Sequence, residues 1–145
     1  MGPVGPATPP AGFRVMLVDD NPRFRTALRA LLERDATIRV VADADSANTI
    51  IDLVGTHAPD VVVMDLSMPG MNGLEATIVL KRHFPDIDVV VLSSSDDREG
   101  VNSVLDSGAS AFLVKGAPAA EIISALKQRP RAHPPSARQA AASLA

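Results

Sequence analysis

The sequence contains no cysteine, which removes disulfides, thiolate metal sites and thiol nucleophiles together and fits a reducing cytoplasm. It has no apolar run of membrane-spanning length, and its opening, "MGPVGPATPPAG", has neither the basic nor the apolar region of a secretory leader. A soluble, cytoplasmic protein with no membrane partner is expected. Charge of neither sign dominates: 14 Lys and Arg against 17 Asp and Glu leave a formal −3, too little positive field for affinity to rest on phosphate neutralisation. His57, His83 and His133 share no i, i+4 spacing, so a histidine metal centre on a helix face is not indicated.

What remains is a chain of 145 residues, 46% hydrophobic and 21% charged, which suits one globular domain. Residues 1–12 are rich in Pro and Gly and lack apolar periodicity, so a disordered arm is expected there. Residues 129–145, "RPRAHPPSARQAAASLA", are basic without an acid and read as a solvated tail or a truncated linker. Residues 13–128 are the foldable part.

Within them short apolar runs alternate with longer amphipathic segments. "FRVMLVD", "IRVVADA", "DVVVMD", "IDVVVLS" and "SAFLVK" read as strands. "PRFRTALRALLERD", with Phe24, Leu28, Leu31 and Leu32 on one face, "SANTIIDLVGTH", "GLEATIVLKRHF", "SDDREGVNSVLDSG" and "APAAEIISALKQ" read as helices. Asn21 is placed to cap the first helix ahead of Pro22, Ser94 or Ser95 to cap the fourth, and Gly108 to end it. Strands apolar on both faces and separated by helices imply a parallel sheet covered on both sides. The expected fold is α/β, five βα units in a doubly wound sheet, with chemistry at the carboxyl ends of the strands.

Those ends carry Asp19 and Asp20, Asp65, Ser93 and Lys115. Each has an ordinary structural explanation: Asp20 starting a turn, Asp65 bonding its loop, Ser93 capping, Lys115 snorkelling. Their conjunction is more informative. Three carboxylates on one rim repel unless a cation lies among them, and hard oxygen donors without Cys or clustered His suit Mg²⁺. Such a site keeps room for a phosphoryl group, whose oxygens the Lys115 ammonium and Ser93 hydroxyl are suited to meet. Asp65, on the middle strand, is then the natural nucleophile for an aspartyl phosphate.

"LVDDNP", "VVVMDLSMPGMNG", "VVVLSS" and "SGASAFLVK" resemble, in order and spacing, the motifs of the receiver domain of two-component response regulators, in wording nearest the nitrate/LuxR-type class. The resemblance covers about 13–128 and implies a flavodoxin-like sheet of strand order 2-1-3-4-5. It implies Asp65 as phosphoacceptor, Asp19 and Asp20 as the metal-binding pair, and the Ser67 carbonyl as a further metal ligand. Ser93 takes the place of the switch hydroxyl, Lys115 of the phosphate-pairing lysine and Phe112 of the switch aromatic. Two positions depart from the usual pattern: Gly116 follows Lys115 where Pro, often with a cis peptide, is common, and Ser93 stands where Thr is commoner.

The resemblance implies a signalling module, not an enzyme beyond its own phosphorylation and dephosphorylation. A sensor histidine kinase would donate the phosphoryl group. The readers would be a downstream protein, a separate output domain or a second, phosphorylated copy. Direct nucleic-acid binding by this chain is not expected, because the charge balance is −3 and no helix-turn-helix pattern follows residue 128. Two other functions are open to such a chain. An Asp-nucleophile phosphohydrolase wants an acid two residues past the nucleophile, where Ser67 stands; a phosphate-independent interaction module would not need all the site positions filled. The first turn, "DDNP", is acidic where a dinucleotide cradle needs glycines.

Overall fold

The computed structural model describes residues 13–66, 72–94 and 98–128. Strand and helix alternate as β1 (Phe13–Val18), α1 (Pro22–Leu32), β2 (Ile38–Ala44), α2 (Ile50–His57), β3 (Val61–Asp65), α3 (Gly73–His83), β4 (Asp88–Ser93), α4 (Arg98–Asp106), β5 (Ala111–Val114) and α5 (Ala119–Lys127). The strands form one parallel sheet in the order β2-β1-β3-β4-β5, the flavodoxin-like α/β fold. Among the described residues no helix is long and apolar enough to cross a membrane. The arm and tail expected at 1–12 and 129–145 lie outside the described residues.

Side chains of a strand alternate between faces, so each Val-rich strand feeds two cores. Val15, Leu17, Val61, Val63, Val90 and Leu92 pack with Leu28 and Leu32 of α1 and Ile122 and Leu126 of α5. Met16, Val18, Val62, Met64, Val89 and Val91 pack with Ile50 and Val54 of α2, Ala76 and Leu80 of α3 and Val104 of α4. β3 and β4 are buried along their whole length, which is why they show no polar alternation.

The helices start and stop where local chemistry dictates. Asn21 accepts from the N–H groups of Arg23 and Phe24 at 3.0 and 3.2 Å, satisfying two of the donors that a helix start leaves open, with Pro22 in the first turn. Asn72 and Glu75 make a reciprocal capping box on α3. Gly108, at φ 113° after α4, supplies the left-handed turn. α2 is shorter than its sequence suggests, because Ser46 Oγ accepts from Asn48 N–H at 3.4 Å and holds that stretch in a turn, so the helix begins only at Ile50. Ile87 lies before β4, and Ala117 and Pro118 lie before α5. Ser95 lies outside the described residues.

Gly73, at the start of α3, packs backbone against backbone on the end of β3. Its N–H donates to Leu66 O at 2.8 Å, and a Cβ built on it would stand 2.6 Å from both Asp65 O and Leu66 Cα. The backbones touch, so even a methyl must displace one of them. Gly73→Ala is expected to cost about 1–3 kcal/mol by overpacking. Thermal unfolding of the variant checks this; an unchanged transition contradicts it.

The turn after α1 is joined to α5 by Lys127 Nζ on Asp35 Oδ2 at 2.7 Å. That ammonium first, then the Thr37 hydroxyl and N–H, lower the Asp35 pKa from 3.8 to about 2. A carboxyl depressed by folding stabilises the native state above its unfolded pKa and loses that contribution as pH falls through the folded value. The difference in melting temperature between wild type and Asp35→Asn is therefore expected to shrink from pH 4 to pH 2; a constant difference across that window goes against the assignment.

Candidate functional site at the carboxyl ends of the strands

The β1 to α1 connection carries Asp19 and Asp20, β3 ends on Asp65, β4 ends on Ser93, and Lys115 follows β5 by one residue. These are the positions singled out from the sequence, and the sheet brings them to one rim. Phe112 lies in β5, half-buried against the core of α2, α3 and α4. Ser67 lies outside the described residues.

Strand alternation sorts them further. Asp19 and Asp65 continue the series of Val15 and Leu17 and of Val61 and Val63, on the α1 and α5 side, where the Lys115 ammonium meets them. Ser93 and Phe112 share the opposite side: Ser93 continues Val89 and Val91, and Phe112 pairs in register with Val91. The two sides are tied at the backbone, where Lys115 N–H donates to Ser93 O at 2.7 Å.

Asp19 and Asp65 are almost fully buried, at 4% and 5% exposure, and Asp20 is exposed. One carboxylate oxygen from each of the three lies within 4.8 Å of the others. The Lys115 ammonium compensates part of this charge, 2.7 Å from Asp19 Oδ2 and 3.4 Å from Asp65 Oδ2. Burial works against that ammonium, but the Asp19 and Asp65 carboxylates outweigh it and raise the Lys115 pKa above 10.5. Asp19 is held at its other atoms too: Oδ1 accepts from Asn21 N–H at 2.8 Å, and the carbonyl accepts from Arg25 Nη1 at 2.6 Å. Arg25 reaches Asp43 with its Nε at 3.6 Å, which anchors the loop to β2.

Three carboxylates against one ammonium leave negative charge in excess, and the buried Asp19 Oδ2 has the Lys115 ammonium as its partner at 2.7 Å. An oxygen-only donor set with excess negative charge fits a small hard cation. Beneath the carboxylates is a cavity of about 10 Å³ with an apolar floor of Leu17, Leu28, Val63 and Leu92, room for about one water. Among the described residues that cavity is too small to hold a phosphoryl group. The larger groove, about 590 Å³ between α3 and α4, is lined by Ile78, Lys81, Arg82 and Asp106 and includes none of the strand-end residues.

Two features of the site were not visible in the sequence pattern. Phe24, assigned there to the core face of α1, lies with its ring centroid 4.5 Å from Lys115 Nζ. Lys115 meets Asp19 more closely than Asp65. The Lys115–Gly116 peptide is trans, since no described residue has a cis bond.

An acidic rim at the strand ends of this sheet, with Asp19 and Asp65 buried and faced by one lysine, is the arrangement of a signalling domain and is consistent with phosphoryl acceptance. The chain belongs to the response regulator receiver domain family, whose model matches residues 15–127. It is 39% identical over 115 residues to the transcriptional regulatory protein DegU of Brevibacillus brevis, a match covering 79% of this chain and 49% of the relative. It is 37% identical over 122 residues to LiaR of Bacillus subtilis, covering 84% and 58%. Among solved structures, the signal receiver domain of the response regulator NarL from Mycobacterium tuberculosis superposes with a TM-score of 0.75 at 31% identity, covering 79% of this chain and 93% of that one. A LuxR-family regulator from Aurantimonas gives 0.77 at 33%, covering 80% and 83%. The relatives are thus of the LuxR/NarL type, as the motifs indicated. The chain spans about half the length of the curated relatives it matches.

That proportion corrects one expectation. Direct nucleic-acid binding was set aside on the −3 balance and on the lack of a pattern after residue 128. The relatives, however, are transcriptional regulators about twice as long as the matched stretch. RcsB from Salmonella enterica, 26% identical with a TM-score of 0.73, is solved bound to a promoter. The charge of one segment does not report on contacts made by residues outside it, so the exclusion of nucleic acid does not stand.

Proposed function

We propose that residues 13–128 are a phosphorylation-controlled switch in which Asp65 accepts the phosphoryl group. The observation that carries this is the position of Asp65 at the end of the middle strand, within 4.8 Å of the Asp19 and Asp20 oxygens and 3.4 Å from Lys115 Nζ. An Asp65 carboxylate oxygen attacks phosphorus, an O–P bond forms, and the bond to the donor nitrogen of a histidine kinase breaks, the electron pair leaving with the imidazole. Lys115, already charged, follows the developing charge on the phosphoryl oxygens. Water later attacks phosphorus, the P–O bond to Asp65 breaks, and inorganic phosphate leaves, returning the carboxylate. Mg²⁺, when held by Asp19, Asp20, Asp65 and the Ser67 carbonyl, supplies neutralising charge to those oxygens.

The readout lies on the other side of the sheet. Ser93 is nearly fully buried at the end of β4, on the same face as the half-buried Phe112. A phosphoryl oxygen that draws the Ser93 hydroxyl toward Asp65 frees space on that face, and Phe112 moves into it, changing the surface of α4, β5 and α5. Such a module works in the cytoplasm, where kinase and phosphodonors are. The test is incubation with acetyl phosphate and Mg²⁺ followed by intact mass. One added phosphoryl group, labile to hydroxylamine, is expected; no mass increase, or an increase stable to hydroxylamine, contradicts the reading.

A further inference from the structure

Lys115 has a mechanical problem. It follows a four-residue edge strand, is succeeded by Gly116 with open space around it, and carries its charge on a long flexible stem. Its two carboxylate partners are both due to change: Asp65 becomes an acyl phosphate, and Asp19 is called on by the cation. A partner that stays the same throughout is needed to keep the ammonium at the rim during that exchange.

The Phe24 ring is such a partner. It is neutral, takes no part in the bond changes, and presents its centroid 4.5 Å from Lys115 Nζ, within the range where a ring face attracts a cation. Its seat is set by three independent features. Its own N–H donates to the Asn21 cap at 3.2 Å. Leu28, one turn further along α1, is buried below it. The next residue, Arg25, ties α1 to the Asp19 carbonyl at 2.6 Å. The ring that faces Lys115 is thus built on the same turn that places Asp19. We propose that Phe24 is a positioning residue, a neutral aromatic seat that holds the Lys115 ammonium between Asp19 and Asp65 and keeps it aimed at the rim while its carboxylate partners change.

This rests on the phosphoacceptor reading for its consequence but not for its geometry, and the test separates the two. In the unphosphorylated full chain, a Lys115 stem held over the ring places its ε-methylene protons in the ring current. They are expected upfield of the other lysines' in NMR spectra, to lose that displacement in Phe24→Leu, and to keep it in Phe24→Tyr. Leu retains an apolar group of similar bulk and removes only the π face; Tyr retains the face. The rate of phosphoryl incorporation from acetyl phosphate is expected to fall about three- to thirtyfold in Phe24→Leu, the range a desolvated cation–π contact supports. Phe24→Tyr is expected to restore most of it. The proposal is overturned if Phe24→Leu leaves the methylene shifts in place, if it labels at the wild-type rate, or if Phe24→Tyr is as slow as Phe24→Leu, which would mark a packing defect. Absence of labelling in the wild type would instead remove the phosphoacceptor reading, and the methylene shifts would still decide whether the ring seats the lysine.

Discussion

Asp65→Asn is expected to take up no phosphoryl group under conditions in which the wild type is labelled. An amide cannot act as the nucleophile, and no other described carboxylate combines its attributes. Asp19 is buried and committed, its Oδ1 to Asn21 N–H and its Oδ2 to the Lys115 ammonium at 2.7 Å. Asp20 is exposed, and the ion pairs of Lys115 are with Asp19 and Asp65. Asp65 ends the central β3, with β1 on one side and β4 on the other, so it has the acidic pair and the lysine to either hand. Asparagine is near in size, and the fold should persist, which thermal unfolding of the same sample verifies. Labelling of the variant at the wild-type level would move the acceptor elsewhere.

Excess chelator is expected to slow labelling of the wild type by about a hundredfold or more, since charge neutralisation by a bound divalent ion is worth several kcal/mol in phosphoryl transfer. The reason lies in the balance at the rim. Three carboxylates face one ammonium, and an incoming phosphoryl group brings further negative charge that Lys115 alone cannot offset. Lys115→Met sharpens the test. Removing the ammonium leaves Asp19 and Asp65, at 4% and 5% exposure, without their ion pair. The cost is expected to be about 1–3 kcal/mol, below the full value for a sealed pair because the rim opens to water. Mg²⁺ should then raise the melting temperature of Lys115→Met more than that of the wild type, because the ammonium no longer competes for Asp19. A smaller rise in the variant, or labelling undiminished in chelator, contradicts the metal assignment.

The fold was legible because its strands are buried on both faces. "VVVMD" and "DVVVLS" are near-continuous apolar runs, and a parallel sheet follows from such runs alternating with amphipathic helices. The site was legible for a related reason. A doubly wound sheet sends every strand's carboxyl end to the same rim, so residues far apart in sequence converge once the topology is known. Capping was read correctly at Asn21, whose side chain accepts two N–H groups, and Gly108 does take the positive φ.

What escaped were contacts between elements. Nothing in "PRFRTALRALL" says that Phe24 faces a lysine ninety-one positions on, because helical periodicity gives a face and not its neighbour. Nothing in the sequence pattern shows that Gly73 must lack a Cβ because of the Asp65 carbonyl close beside it. The division of Asp19, Asp65 and Lys115 from Ser93 and Phe112 follows from strand parity, but only once β1, β3, β4 and β5 are in register. The exclusion of nucleic acid failed differently: it drew on the charge of one segment, and the relatives extend well beyond that segment.

The residue that carries the phosphoryl group can be located directly. Borohydride reduction of the labelled wild type converts an aspartyl phosphate to homoserine, and peptide mapping then gives its position. The predicted result is homoserine at residue 65 alone, in an amount matching the phosphoryl mass gained. Homoserine at 19 or 20, or a phosphoryl-bearing peptide that does not include residue 65, would contradict the account.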